Sequence, residues 1–147
     1  MNGSFDQEPE NPVAWIEGAT EPRKALAISL DGEQKAHGKQ SLKLQLNRDG
    51  RGGLIQRIAV DPGKKYRLTA ALATRDLVGE AYVGFFTDDI HTGVRGRTEP
   101  LRLANSGWKA YRADWFSGTS RVIYVVCYLK GKSGSAWFDG LRLEEVR

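Results

Sequence analysis

The distribution of apolar and polar residues along the chain is typical of an all-β domain. Apolar and polar residues alternate over short runs that end at glycine, proline or aspartate, and no segment keeps a helical period over three turns. Turn signals such as Asp31-Gly32 and Asp61-Pro62-Gly63 separate the runs. The pattern predicts these strands: Ala25–Leu30, Ser41–Leu46, Gly53–Val60, Lys65–Arg75, Glu80–Thr87, Glu99–Leu103, Lys109–Phe116, Arg121–Leu129 and Ala136–Glu144.

Strands of this number and spacing predict a two-sheet antiparallel β-sandwich, for which the jelly roll is a common solution. No internal repeat or linker divides the 147 residues, so we expect a single domain over 1–147 that buries one core. The side chains predicted to be buried are Phe5, Leu44, Ile58, Tyr66, Leu68, Val83, Ile123, Val125 and Phe138.

Alternation within the longer runs predicts an aromatic outer face. The run 121–129 is apolar on both sides, and Tyr124 and Tyr128 lie on the side opposite Ile123, which is expected in the core. A strand that is apolar on both faces lies under another layer or borders a ligand surface. If the alternating set that contains Val83 faces the core, then Tyr82 and Phe86 join the two tyrosines on one outer face.

These four aromatic residues predict a groove for a chain-like ligand such as a glycan. The outward side of the run 65–75 carries small residues, and we expect Thr69, Ala71 and Ala73 to form the groove floor, with Arg75 at one end. A tyrosine ring offers sugars a flat apolar face and a hydroxyl group. The alternative is that Tyr124 and Tyr128 cap the edge of the core.

Charge and composition exclude some classes of partner. The net charge of +4 comes from basic residues scattered among 18 acidic ones, without a nucleic-acid-binding motif, which favours a solvated surface. No apolar stretch approaches the roughly 20 residues of a membrane helix. We therefore expect neither a nucleic-acid nor a membrane partner. The single cysteine, Cys127, excludes an intramolecular disulfide and is predicted to be a buried thiol.

Catalytic residues are not indicated by the sequence. Glycoside hydrolysis needs two carboxylates that face each other across a cleft, whereas the densest acidic cluster lies within the four residues 88–91, where Asp88 and Asp89 are adjacent. His91 in the same stretch could complete a metal site only with ligands from one short loop, which is a weak signal. We expect this loop to lie at the mouth of the groove, and an enzyme is the least favoured class.

Four segments in fixed order carry a resemblance to a known group of proteins. They are Asn2-Gly3-Ser4-Phe5-Asp6, His37-Gly38-Lys39-Gln40-Ser41-Leu42, Asp61-Pro62-Gly63-Lys64-Lys65-Tyr66 and Trp137-Phe138-Asp139-Gly140-Leu141-Arg142-Leu143. In this order and spacing, nearly the whole chain resembles the jelly-roll carbohydrate-binding modules of the galactose-binding-like superfamily, the group of families four, nine, sixteen and twenty-two. Such modules accompany secreted bacterial enzymes that degrade polysaccharides.

The resemblance implies a noncatalytic, monomeric, secreted module that binds a plant or microbial polysaccharide and targets a covalently linked glycoside hydrolase to it. By the resemblance, Tyr124 and Tyr128 correspond to a pair of cleft residues on the penultimate strand, and Arg75 to a cleft residue after the Pro-Gly turn. Trp15 resembles an aromatic residue that closes one end of the cleft. The alternatives are a structural β-sandwich that spaces neighbouring domains and a protein-interaction domain, neither of which binds sugar.

The resemblance also implies a structural calcium ion away from the cleft. Asp6 and Asp139 would supply carboxylates, and Lys39 and its neighbours would supply backbone carbonyl groups, which are the oxygen ligands that Ca²⁺ prefers. Asp6 stands where the family more often has glutamate. The alternative is that both acids are solubilising charges at the ends of the chain.

Overall fold

The computed structural model describes residues 16–17, 25–33, 35–36, 41–87 and 95–146, and regular structure within these ranges consists of strands. The described part of the chain contains no helix that could cross a membrane. The strands are β1 (Ile16–Glu17), β2 (Leu26–Asp31), β3 (Ser41–Leu46), β4 (Gly50–Ala59), β5 (Lys65–Phe86), β6 (Arg95–Arg97), β7 (Ser106–Phe116) and β8 (Val122–Val146).

Two long antiparallel strands organise the fold. β5 has 22 residues and β8 has 25, and they pair along most of their length, from Lys65 opposite Val146 to Phe86 opposite Tyr124. Each strand was predicted as two shorter strands with a break between them. The break is instead a corner, at residues 75–79 and 131–134, where the ladder shifts register and continues.

The two halves of the β5–β8 ladder belong to two sheets. In the front sheet, β4 pairs with residues 122–131 of β8, residues 79–86 of β5 complete the centre, and β1 and β6 lie at the edges. In the back sheet, residues 134–146 of β8 lie between β3 and residues 65–75 of β5, flanked by β2 and β7. The predicted two-sheet antiparallel sandwich is confirmed.

The inward faces of the two sheets form one core. Of the side chains predicted to be buried, all that the structure describes are inside except Ile58, which is half-buried against the core; Phe5 lies outside the described residues. The ring of Phe85 on the front sheet lies 5.6 Å from that of Trp115 on the back sheet. Trp115 stacks in turn on Tyr66, with ring centroids 5.1 Å apart. These rings join the two sheets.

Glycine permits the corner of the sandwich. Gly134 has a φ of 108°, and a side chain there would collide with the backbone of Asp76 and Leu77. Gly131 is packed against the backbone of Val78 in the same way. Since only glycine allows such close backbone approach without a shift, these residues let the ladder pass from one sheet to the other.

One predicted strand is reduced to a bridge. The stretch predicted as Glu99–Leu103 pairs with β5 through Ala81 and Leu101, which exchange both backbone hydrogen bonds at 3.0 and 2.8 Å. Pro100 has no N–H to donate, so it weakens the segment as a strand.

Candidate functional site

The outer face of the front sheet carries the four aromatic residues that alternation selected. Ile123, Val125, Cys127 and Leu129 are completely buried, so the tyrosines between them point outward, where they are half-buried. On β5 the adjacent residues Phe85 and Phe86 point to opposite faces of the strand, as predicted. Phe85 is only 5% exposed and lies in the core, and Phe86 lies outside with Tyr82. The tyrosines therefore lie on the outer face of the front sheet, as alternation predicted.

Strand register brings the four rings together as two cross-strand pairs. Tyr82 is directly opposite Tyr128, and their ring centroids are 4.9 Å apart with the planes tilted by 34°. Phe86 is directly opposite Tyr124, and these rings are stacked at 5.0 Å and 12°. Aromatic pairs in this arrangement stabilise a sheet and hold each other's orientation.

An open surface depression of about 490 Å³, called the groove below, is lined by Tyr82, Gly84, Phe85, Phe86, Gly96, Arg97 and Val126. Tyr124 and Tyr128, which were predicted to line it, stand behind Tyr82 and Phe86 and are not part of its lining. Its floor is formed by Gly84 and Val126, which oppose each other midway between the pairs, and Tyr82 and Phe86 line its walls. A methyl group placed on Gly84 would lie 3.2 Å from Val126 and 3.4 Å from the Tyr82 ring. Glycine at this position therefore leaves the space above the groove floor open.

The predicted floor residues lie elsewhere, and the prediction that placed them in the groove is wrong. Arg75 opposes Ser135 on the back sheet, and its guanidinium group lies 5.6 Å from the ring of Trp137. Ala71 and Ala73 oppose Asp139 and Trp137 on the same sheet. β5 turns the corner after Arg75. The outward side of its first half therefore belongs to the back sheet, and the outward side of its second half belongs to the front sheet.

Trp137, which opposes Ala73, belongs to the back sheet as a structural residue. Its ring is 3% exposed, and the indole N–H donates a hydrogen bond of 2.9 Å to the carboxylate of Asp31. Lys43 Nζ lies 5.4 Å from the ring centroid, and Arg75 is at a similar distance. These cation–π contacts account for the position of Arg75 without a ligand.

Arg97 is a groove residue that the sequence pattern did not reveal. It lies on β6 opposite Gly84, and its guanidinium group is 5.1 Å from the centroid of the Tyr82 ring. β6 has only three residues, too few for alternation to assign a face. Burial raises the pKa of Tyr82 above its ordinary value, with a further rise from Tyr128 and an opposing effect of Arg97. The phenol therefore stays protonated at neutral pH and can donate a hydrogen bond.

Two predicted features at the ends of the groove lie outside the described residues. Trp15 was predicted to close one end, and the loop that contains Asp88, Asp89 and His91 was predicted to lie at its mouth. Both placements stay predictions.

Of the three predicted calcium-binding residues, Asp139 is the one that the structure describes; Asp6 and Lys39 lie outside the described residues. Asp139 is completely buried; its Oδ2 accepts a hydrogen bond of 3.0 Å from the N–H of Ala36, and its Oδ1 accepts one of 2.8 Å from that of Gly140. No group of three or more potential metal-ligating side chains occurs within the described ranges. Calcium stays a prediction.

Sequence comparison finds no relative of this chain: no family model matches it, and no curated protein matches it. Structure comparison does find similar folds, and most of the similar structures are carbohydrate-binding modules.

Three solved structures illustrate the range of the likeness. A family 16 carbohydrate-binding module has a TM-score of 0.66 and 18% identity, over 99% of this chain and 98% of that one. The CBM22-1–GH10 modules of Clostridium thermocellum xylanase 10B, complexed with xylohexaose, have a TM-score of 0.65 and 11% identity, over 90% of this chain and 26% of that one. The enzymatically active domain of bacteriophage CBA120 tailspike protein 4 has a TM-score of 0.77 and 11% identity, over 99% of this chain.

This chain spans only 21% of the tailspike domain and nearly the whole of the family 16 module. It therefore corresponds to one β-sandwich within the larger proteins. At these sequence identities the likeness concerns the fold, and the fold is the jelly-roll sandwich that carbohydrate-binding modules share.

Proposed function

We propose that this protein is a noncatalytic module that binds a polysaccharide in the groove of the front sheet. The observation that carries the proposal is the pair of aromatic walls, Tyr82 and Phe86, on either side of Gly84 and Val126. Each wall residue packs against a tyrosine of β8. Axial C–H groups of a sugar ring pack on an aromatic face, and tyrosine hydroxyl groups exchange hydrogen bonds with sugar hydroxyl groups.

A row of residues that crosses the front sheet through the groove would extend the proposed binding surface to a chain. Arg97, Gly84, Val126 and Ile55 lie side by side on four adjacent strands, in the row between the ring pairs. Neighbouring strands are about 4.8 Å apart, so this row is about 14 Å long. A volume of about 490 Å³ is within the usual range for a ligand site.

The proposal places the module in a secreted protein that also carries a glycoside hydrolase. In this arrangement the module holds the catalytic domain close to a polymeric substrate. The xylanase 10B structure supports this, since it contains a carbohydrate-binding module together with a GH10 module and a bound oligosaccharide.

A structural calcium ion at Asp139 is part of the proposal. Asp139 is a buried carboxylate in the segment that the resemblance assigns to the ion, and calcium takes six to eight oxygen ligands. Asp139 would supply one carboxylate, with Asp6 and the backbone near Lys39 completing the set. A chelator is expected to lower the melting temperature of the wild-type protein and to leave that of Asp139→Asn unchanged. Identical wild-type melting curves with and without chelator would contradict a bound ion.

Binding to a panel of soluble polysaccharides tests the proposed function. Affinity electrophoresis detects the binding, and calorimetry measures the affinity. A stacking aromatic contributes about 1–3 kcal/mol, so Tyr82→Ala and Phe86→Ala should weaken binding about 5- to 150-fold. Tyr124→Ala and Tyr128→Ala should weaken it less, because these rings support the residues that line the groove.

Phe116→Ala is the matched control. Phe116 is an exposed aromatic residue on the outer face of the back sheet, 58% exposed, and its loss should leave glycan affinity unchanged. Absence of binding to every polysaccharide, with an intact fold by circular dichroism, would favour the structural-spacer alternative instead.

A further inference from the structure

The charges around the groove suggest the class of glycan it takes. We infer that the ligand is an acidic polysaccharide that carries carboxylate groups, and that Arg97 is the residue that selects it. This inference rests on the proposed function, because it concerns the same groove.

Arg97 is placed to meet a ligand in the groove. Among the described residues that line the groove, it is the one side chain that carries a charge at neutral pH. Its guanidinium group lies over the Tyr82 ring, and the side chain is 48% exposed. A guanidinium group held against an aromatic face keeps its N–H groups in the plane of the fork, where they can bind a carboxylate in bidentate fashion.

The internal partner of Arg97 is weakly engaged. Glu80 Oε1 lies 4.0 Å from Arg97 Nη1, whereas Glu80 Oε2 accepts a hydrogen bond of 3.1 Å from Arg102 Nε. The carboxylate of Glu80 therefore pairs more closely with Arg102 than with Arg97. A sugar carboxylate in the groove can pair with Arg97 without breaking a short ion pair.

Other cations of the front sheet continue the positive charge beyond the groove. Arg57 is exposed and directly opposite Tyr124, at the far end of one ring pair. Beyond the other ring pair, Lys130 of β8 lies directly opposite Arg51 on one side and Glu80 on the other. Arg51 and Lys130 line a second cleft of about 640 Å³ at the corner, together with Lys132 and Asp49.

This arrangement favours an anionic chain over a neutral one. A neutral glycan would gain ring stacking in the groove, and its hydroxyl groups would accept ordinary hydrogen bonds from Arg97. An anionic chain gains the same stacking, a charge-assisted hydrogen bond to Arg97 and attraction to the rim. Salt screens the attraction to the rim and weakens the charge-assisted hydrogen bond to Arg97, whereas it leaves ring stacking unchanged.

Calorimetry with matched acidic and neutral glycans tests the inference. The probes are homogalacturonan and alginate oligosaccharides, each compared with its carboxyl-reduced neutral counterpart, at low and at high ionic strength. We expect at least one acidic probe to bind about 10-fold more tightly than its neutral counterpart at low salt, and the difference to shrink at high salt.

Substitutions of single charges assign the effect to Arg97. Arg97→Met should remove the preference for the acidic probe, so that the acidic and neutral probes bind it equally tightly, whereas Glu80→Gln should strengthen the preference. Arg142→Met is the control, because it removes an equally charged, exposed arginine from the back sheet. Glu80→Gln also keeps the test valid if Arg97→Met is poorly folded.

The outcomes separate this inference from the proposed function. Equal affinity of the wild-type protein for each acidic probe and its neutral counterpart would overturn the inference and leave the glycan-binding proposal intact. An acidic preference that persists in Arg97→Met would overturn the role of Arg97. Absence of binding by any acidic or neutral probe would overturn both proposals together.

Discussion

Gly84 determines whether the groove is open. It lies between the two aromatic walls, and a single added methyl group would already touch Val126 and Tyr82. Its backbone is in an ordinary strand conformation, so a larger residue can be introduced there without forcing a left-handed φ. A side chain at this position would therefore fill the groove while keeping an allowed backbone conformation.

Gly84→Val is expected to weaken glycan binding at least about tenfold, because the added side chain fills the floor on which a sugar would lie. Calorimetry measures the affinity, and circular dichroism checks the fold. Gly107→Val is the control, since a side chain on Gly107 of β7 meets nothing within 4 Å. Unchanged affinity in a folded Gly84→Val variant would show that ligands do not enter this groove.

A single ion pair on the back sheet gives the stability of the protein a pH dependence. Arg67 and Asp114 form two hydrogen bonds across β5 and β7, of 2.9 and 3.2 Å. The hydrogen bond from Arg67 is the main reason that the pKa of Asp114 is lowered in the folded protein. A lowered carboxyl pKa contributes stability above the unfolded value of about 3.9, and this contribution is lost as the pH falls through the folded value.

Asp114→Asn should therefore have a slightly lower melting temperature than the wild type at pH 7, because the pair is exposed and its contribution is small. The difference should disappear in acid, well below pH 4, where the wild-type carboxyl is protonated as well. Melting curves over this pH range measure it. A difference of the same size at both extremes would exclude the ion pair as its cause.

At the scale of strands, alternation correctly predicted which side of a strand each aromatic residue faces. It did not predict how the strands continue from one sheet to the other. The period of two is a local property, so it placed Tyr82, Phe86, Tyr124 and Tyr128 on the correct side of their strands. Arg75 was misplaced because hydrophobic alternation does not show that β5 turns a corner before it reaches the groove. The corner depends on backbone conformation, with a positive φ at Asp76 and at Gly134.

Gly134→Ala tests the importance of the corner for the fold. The substitution places a side chain at a φ of 108° and against the backbone of Asp76 and Leu77, and strain of this kind costs about 1–3 kcal/mol. We expect a lower midpoint in chemical denaturation. Gly107→Ala should be neutral or slightly stabilising, since its conformation is ordinary and its surroundings are open. Equal stability of both variants would mean that the corner accommodates a side chain.

At the scale of the whole molecule, the sandwich separates two outer faces with different characters. The front sheet presents the open groove between Tyr82 and Phe86. The back sheet presents Trp137 beneath Lys43 and Arg75, in a cluster of side chains that satisfy one another. The two-sheet fold class followed from strand spacing and the aromatic face from alternation, whereas the pairing of the rings across the face required the register of β5 and β8.

The position of the ligand on the molecule is the most direct test of the central claim. Backbone amide chemical shifts, followed by NMR during titration with the polysaccharide fragment that binds best in the panel, would locate it without any substitution. We expect the largest changes at 82–86, 96–97 and 124–128, around the groove of the front sheet. Changes concentrated on the back sheet near Phe116 and Trp137, or no changes with any fragment, would contradict the proposed site.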